Sequence, residues 1–213
     1  MYTSLELDAI KEIGNIGAGN AATALSLLLT KRIQMKIPQV KLLPFDEVSN
    51  SIGGPENLVV GIFMRFWGDI DGNILLIVPK KDAYNLIKNL LNEEKGQHDN
   101  ELSAMQESAL LEMGNIVASS FISALSDFTR LQLKVSVPGI AFDMAGAILN
   151  FPLSIYGYMG DTAFLIDTEF VEGIDGVKIH FFLIPDDDSL KVLLKAIGVS
   201  SIERNSSSGN GRI

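Results

Sequence analysis

The sequence repeats itself after 100 residues, and this repeat is the strongest constraint on the fold. Ten positions between residues 8 and 38 carry the same residue again 100 positions later. They are Ala9, Glu12, Gly14, Asn15, Ile16, Ala18, Ala24, Leu25, Ser26 and Pro38, which recur as Ala109, Glu112, Gly114, Asn115, Ile116, Ala118, Ala124, Leu125, Ser126 and Pro138. Self-similarity at a fixed spacing is typical of repeated structural units. We therefore predict two similar halves related by a pseudo-twofold axis.

A long helix is predicted at the start of each half. The capping-box motifs Thr3-x-x-Glu6 and Ser103-x-x-Gln106 stand where the two helices would begin. The helical pattern then continues to about Leu29 in the first half and about Phe128 in the second. Helices of this length are expected to be major packing elements of the fold.

Strands and short helices are expected to follow each long helix. The predicted strands lie near 33–43, 58–67, 73–78, 131–142, 162–171 and 177–184, and the short helices near 81–91 and 187–197. Two Asp-Gly pairs, Asp71-Gly72 and Asp175-Gly176, suit tight hairpin turns between neighbouring strands. Because hairpins join antiparallel strands, we predict an α+β fold with two long helices and a largely antiparallel sheet.

The two repeats are expected to form a single domain. The predicted boundaries are 1–91 for the first repeat, 92–100 for a linker, 101–199 for the second repeat and 200–213 for a tail. Polar residues dominate the linker, and the tail is rich in serine and glycine, a composition that disfavours a packed core. We therefore predict that the tail is disordered.

Composition excludes several classes of function. The chain has no cysteine and two histidines, so it lacks a thiol nucleophile and a cysteine-ligated zinc site, and we expect no bound metal. Its 17 basic and 26 acidic residues give a net charge of −9, which repels nucleic acid and anionic lipid. No apolar run reaches the roughly 18 residues of a membrane span, and the N-terminus lacks the pattern of a signal peptide. We predict a cytoplasmic protein with no nucleic-acid partner and no membrane insertion.

Each long helix carries a polar stripe opposite its apolar face. Four positions on each helix lie within about 40° of one direction when successive residues are 100° apart. They are Asp8, Glu12, Asn15 and Gly19 in the first half and Ser108, Glu112, Asn115 and Ser119 in the second. Core packing explains the repeated apolar residues, but it does not require a glutamate and an asparagine to repeat on the outward side. We therefore predict two equivalent functional sites on these stripes.

The spacing of the stripe residues is specific. The pattern Asp/Ser-x3-Glu-x2-Asn-x22-Pro occurs twice and ends at Pro38 and Pro138, to which we assign structural roles. A third Glu-x-x-Asn, at Glu47 and Asn50, lacks the Asp or Ser four residues earlier and the proline 23 residues later. We predict that this third occurrence lies in a loop without function.

A nucleotide-binding loop is the alternative interpretation of Gly14, Gly17 and Gly19. The glycine order is G-x-x-G-x-G rather than G-x-G-x-x-G, and no strand is predicted before it. Each glycine costs a helix about 1 kcal/mol relative to alanine. Close approach of another backbone, from a neighbouring helix or a docked protein, is therefore the favoured explanation.

The complete pattern, present twice, resembles that of the CheC-type chemotaxis phosphatases, the family that includes CheC, CheX and FliY. The resemblance covers about residues 3–199. Two sites without an additional C-terminal module are expected of CheC-like members, whereas CheX-like members would show one site and FliY-like members a further domain. The family's fold and activity are therefore expectations for this chain.

The resemblance implies a phosphatase acting on the phospho-aspartate of a CheY-type response regulator. By position, Asn15 and Asn115 would orient the attacking water, and Glu12 and Glu112 would dock a lysine of the regulator. A carboxamide suits this task because an acyl phosphate is already activated and needs mainly a positioned water. No cofactor is expected on this chain, and a divalent metal, Mg²⁺, is expected on the regulator. Asp8, Gly19, Ser108 and Ser119 are the predicted partner-binding positions.

Two other functions stay open at this stage. The chain could be a non-catalytic module that sequesters the phosphorylated regulator, or one that regulates a CheD-type receptor deamidase, the second partner that the resemblance implies. The substitution of Ser108 for Asp8 between the halves leaves the relative activity of the two sites undecided.

Overall fold

The computed structural model describes residues 4–30, 34–35, 39–92, 102–156, 162–172 and 175–198. The elements of the first half are α1 (Ser4–Leu29), β1 (Gln34–Met35), β2 (Gln39–Pro44), α2 (Phe45–Ser51), β3 (Leu58–Gly68), β4 (Gly72–Pro79) and α3 (Lys80–Leu91). Those of the second half are α4 (Ala104–Thr129), β5 (Leu133–Val135), β6 (Gly139–Met144), α5 (Ala145–Tyr156), β7 (Thr162–Glu172), β8 (Asp175–Pro185) and α6 (Asp187–Ala196). The order of helices and strands is therefore the same in both halves. The predicted linker and tail lie almost wholly outside the described residues.

The two long helices end close to the residues predicted from the sequence. The Ser103 hydroxyl accepts a hydrogen bond from the Gln106 amide at 3.3 Å, and Gln106 Oε1 accepts one from the Ser103 amide at 3.0 Å. This confirms the capping box of α4. Arg130, with φ 63°, and Thr30, with φ 53°, adopt the left-handed conformation just after the two helices. Thr3 lies outside the described residues, so the capping of α1 stays a prediction.

The sheet is antiparallel and exchanges strands between the halves. Its order is β1-β7-β8-β4-β3-β5, with β2 also pairing with β7 and β6 also pairing with β3. Every pairing is antiparallel. Strands β4 and β8 meet in the middle, and each half supplies the edge strands that flank the other half's hairpin. The predicted α+β class with a largely antiparallel sheet is confirmed.

The Asp-Gly pairs do not form the hairpin turns, and this part of the prediction was wrong. Phe66 pairs with Gly72, which leaves a connection of residues 67–71 rather than two residues. Within it the Asp71 carboxylate accepts a hydrogen bond from the Gly68 amide at 3.2 Å, so the aspartate stabilises a wider loop. In the second half Asp175 pairs with Glu172, so the connection has the predicted length of two residues, but the Asp-Gly pair belongs to β8 and not to the connection.

Helices cover both faces of the sheet. Buried side chains of α1, α3, α4 and α6 pack on one face, and those of α2 and α5 pack on the other. The second cluster joins Val48, Ile52, Ile148 and Leu149 to Leu75, Ile77, Phe182 and Ile184. Helices α2 and α5 were not predicted from the sequence. The almost unbroken apolar run of β4, buried on both sides, is the signal that could have indicated a second covering layer.

Helix α1 meets α4 closely at Gly17. A Cβ atom added to Gly17 would lie 2.3 Å from Cε2 of Phe121. The Phe121 ring is completely buried and stacks on Phe181, with ring centroids 4.3 Å apart. Close helix packing therefore explains this glycine. By contrast, a Cβ atom on Gly19 would meet nothing within 4 Å.

This contrast predicts opposite effects of the same substitution on stability. Gly17→Ala should lower the free energy of unfolding by about 1–3 kcal/mol, because the new methyl group overpacks the interface with Phe121. Gly19→Ala should raise it by up to about 1 kcal/mol, because alanine favours the helix and the space is open. Urea denaturation of both variants measures the difference. Equal changes in the two variants would contradict this account of the helix crossing.

Helix α4 alone among the described residues is long and apolar enough to cross a membrane by length and composition. Half of its most apolar window is buried inside the protein. Its buried residues, which include Met113, Val117 and Phe121, belong to the core between the long helices and the sheet. Core helices commonly have this composition, so packing inside the fold accounts for it.

Candidate functional site

The polar stripes of the two long helices face away from the core. Glu12 and Asn15 are exposed on α1, whereas their neighbours Ile13 and Gly14 are buried. On α4, Glu112 is exposed and Asn115 is partly exposed. Residues three apart on a helix have their Cβ atoms about 5–6 Å apart. Each stripe therefore presents a glutamate carboxylate and an asparagine carboxamide side by side on an outward helix surface.

In the first stripe, Asp8 has a partner that the sequence analysis missed. Lys11 Nζ lies 3.1 Å from Asp8 Oδ1, in an ion pair that is mostly exposed. The spacing of three residues on a helix is the signal that could have predicted it. Exposed pairs of this kind contribute about 0–1 kcal/mol, so Asp8 can exchange Lys11 for another cation at little cost. The second half has Ser108 and Leu111 here, and therefore has no equivalent pair.

In the second stripe, Asn115 has a partner that the first stripe lacks. The Ser119 hydroxyl donates a hydrogen bond of 3.4 Å to Asn115 Oδ1. Gly19 occupies the equivalent position on α1 and has no side chain to make this bond. At 3.4 Å this bond is long for a hydroxyl donor and therefore weak, and no hydrogen bond to the Asn15 side chain is found within the described residues. The two sites therefore differ in whether a hydroxyl group neighbours the amide oxygen.

Both glutamates are available to a partner. Within the part of the chain that the structure describes, neither Glu12 nor Glu112 forms an ion pair or a side-chain hydrogen bond. The free carboxylates are the natural contact points for a cation on another molecule.

Pro138 lies directly before β6 and is partly buried, while Pro38 lies outside the described residues.

The third Glu-x-x-Asn was wrongly predicted to lie in a loop. Glu47 and Asn50 belong to the short helix α2, and both are exposed. The apolar residues Val48 and Ile52 attach this helix to the sheet, which is a tertiary effect that local sequence does not reveal. The segment still lacks the flanking residues of the full pattern, and it serves below as an internal control.

The described residues contain no group of three or more His, Asp or Glu side chains that could hold a metal ion. Each stripe offers an amide, which donates and accepts hydrogen bonds, and a carboxylate, which pairs with cations. An exposed helix surface suits contact with a macromolecule better than enclosure of a small molecule.

Comparison with known proteins identifies the family. The model of the CheC-like family matches residues 5–42 and 105–141, which include both stripes. The CheY-P phosphatase CheC of Bacillus subtilis is 39% identical over 198 residues, covering 92% of this chain and 95% of that protein. The chain belongs to the CheC-like family.

Other relatives agree with this membership. The flagellar motor switch phosphatase FliY of Bacillus subtilis is 29% identical to this CheC-like chain over 138 residues, covering 65% of the chain and 36% of FliY. Among solved structures, Thermotoga maritima FliY has a TM-score of 0.75 at 21% identity, covering 94% of this chain and all of that one. CheX in a complex with CheY, BeF3 and Mg²⁺ from Borrelia burgdorferi has a TM-score of 0.54 at 20% identity, covering 80% of this chain and 96% of that one. These likenesses confirm the fold.

Proposed function

We propose that each stripe hydrolyses the phospho-aspartate of a CheY-type response regulator. The observation that carries the proposal is the outward Glu-Asn pair on each long helix, in a chain 39% identical to a protein named CheY-P phosphatase. The enzyme is therefore a protein phosphatase with two sites, and it acts in chemotaxis signalling in the cytoplasm.

The carboxamides of Asn15 and Asn115 position the attacking water. The amide oxygen accepts a hydrogen bond from the water, and the uncharged group adds no repulsion beside the phosphoryl oxygens. Water oxygen bonds to phosphorus as the bond between phosphorus and the aspartyl oxygen breaks. The products are inorganic phosphate and a free aspartate carboxylate, and the protons of the water stay with phosphate or solvent. Positioning alone is an effective form of catalysis for an activated phosphoryl group.

The carboxylates of Glu12 and Glu112 dock the regulator. Each lies one helical turn from its asparagine, so an ion pair with a lysine of the regulator fixes the distance between amide and phosphorus. The Mg²⁺ ion belongs to the regulator, where it neutralises charge on the phosphoryl oxygens. This chain therefore supplies the glutamate and the asparagine of each site, and the regulator supplies the metal ion.

Multiple turnover is the test of this function. At about one molecule of the chain per 20 of phosphorylated regulator, loss of phosphate should accelerate and go to completion. The measurement is the decay of radiolabelled phospho-regulator, with regulator alone as the control.

A binding module gives the opposite result. Sequestration of the phospho-regulator would leave its decay unchanged or slow it, and the effect would require stoichiometric protein. A CheD-type deamidase is a second proposed partner, as the resemblance to the CheC-type family implies, and it is left out of this assay. Unaccelerated decay at this ratio would refute the phosphatase function.

A further inference from the structure

Each stripe continues toward the start of its helix with an exposed apolar side chain. Leu5 of α1 is 64% exposed and Met105 of α4 is 65% exposed. These residues occupy the same position of the two repeats, 100 residues apart. No other two exposed large apolar residues of the described chain are separated by the 100 residues of the repeat.

The other exposed large apolar residues of the long helices have no exposed apolar counterpart. Leu27, at 78% exposure, corresponds to Asp127, and Leu7 corresponds to Glu107. Phe128, at 44% exposure, corresponds to Leu28, which is partly buried against the core. A single exposed leucine is ordinary on a protein surface. The same degree of exposure at equivalent positions, beside two equivalent sites, points instead to a shared role.

Helix geometry places both residues on the stripes. Leu5 precedes Asp8 by three residues and Glu12 by seven, so at about 100° per residue it lies about 20° from the direction of Glu12 and about 50° from the centre of the first stripe. With a rise of about 1.5 Å per residue, Leu5 lies roughly 10 Å from Glu12 and 15 Å from Asn15 along the axis. Met105 has the same relation to Glu112 and Asn115. A protein interface of about 800 Å² per partner readily spans this distance.

We infer that Leu5 and Met105 are apolar anchors that bury against the phosphorylated regulator when it docks on each stripe. This inference rests on the proposed function and names a further part of the same interface. The occupant is the regulator rather than a second copy of this chain, because the apolar residue is continuous with the Glu-Asn pair that engages it. The apolar contact supplies affinity, and the glutamate supplies orientation.

The test separates the two sites before probing each anchor. Leu5→Ala is made with Asn115→Ala, and Met105→Ala with Asn15→Ala, so that one site operates at a time. The KM for phospho-regulator should rise about tenfold in each case, while kcat changes less than twofold, because burial of the side chain contributes equally before and during the reaction. Leu5→Met and Met105→Leu should keep the original KM.

Leu27→Ala is the matched control, since it removes an even more exposed leucine from the same helix at a position whose counterpart is not apolar. Its KM should not change. The inference is overturned if both anchor variants keep the original KM, if kcat falls instead of KM rising, or if Leu27→Ala raises KM as much as Leu5→Ala. Failure of the unsubstituted protein to accelerate decay would refute the proposed function itself, which is a different outcome.

Discussion

The double variant Asn15→Ala, Asn115→Ala is expected to leave the phospho-regulator decaying at the rate of the regulator alone. The acceleration should fall by about 100-fold or more, because a water that is no longer held in line rarely reaches the productive geometry. Binding of the regulator should persist, since both glutamates are retained. Decay of radiolabelled phospho-regulator measures the first effect, and affinity for a regulator carrying a stable phosphoryl mimic measures the second.

The chain offers two matched controls for this variant. Asn20 is exposed on α1, but its side-chain amide donates to the Ile16 carbonyl at 2.9 Å and lies off the stripe. Asn50 has the Glu-x-x-Asn spacing but lies on α2. Asn20→Ala and Asn50→Ala should both retain full activity, and each single variant of Asn15 or Asn115 should retain the activity of the remaining site. Full activity in the double variant would refute the proposed role of the carboxamides.

Reversing the charge of both glutamates is expected to weaken docking severely. In Glu12→Lys, Glu112→Lys the proposed lysine of the regulator would meet a like charge, which costs an interface several kcal/mol. The KM should therefore rise by about 100-fold or more, with part of the loss recovered at high salt because ions screen the repulsion. Steady-state rates at low and high ionic strength provide the measurement.

The control must change net charge by the same amount away from the stripes. Glu47→Lys, Glu56→Lys does so at two exposed positions. A KM close to that of the unsubstituted protein is expected for this control, apart from a small general effect of charge on association. If both charge-reversal variants raise KM equally, the overall field of the protein governs docking and the glutamates have no specific role.

The elements that were predictable from the sequence are those specified by local pattern. The capping box at Ser103 and the helical spacing of apolar residues along the 26 residues of α4 are both local sequence features. The helix could therefore be located without knowledge of its neighbours in the fold. The same holds for strands β3 and β4, whose apolar runs are bounded by turn residues. The outward direction of Glu12 and Glu112 follows directly from helix period, which is why the candidate sites could be placed.

What could not be predicted depends on tertiary contacts. Helix α2 is seven residues long and is stabilised by burial of Val48 and Ile52 on the sheet, not by its own propensity. The hydrogen bond from Ser119 to Asn115 depends on side-chain rotamers that a helical projection does not contain. The chemical roles assigned to the stripe residues stay predictions until the variants above are measured.

The exchange of edge strands between the halves has a consequence for how such a chain can be divided. Strands β1 and β2 complete the sheet beside β7, and β5 and β6 complete it beside β3. In a fragment comprising one half alone, the outer strand of the hairpin would lack its neighbouring strands from the other half, and its backbone N–H and C=O groups on that side would be unpaired. Two copies of one such fragment would close both flanks by lending their outer strands to each other, so an isolated half is expected to dimerise.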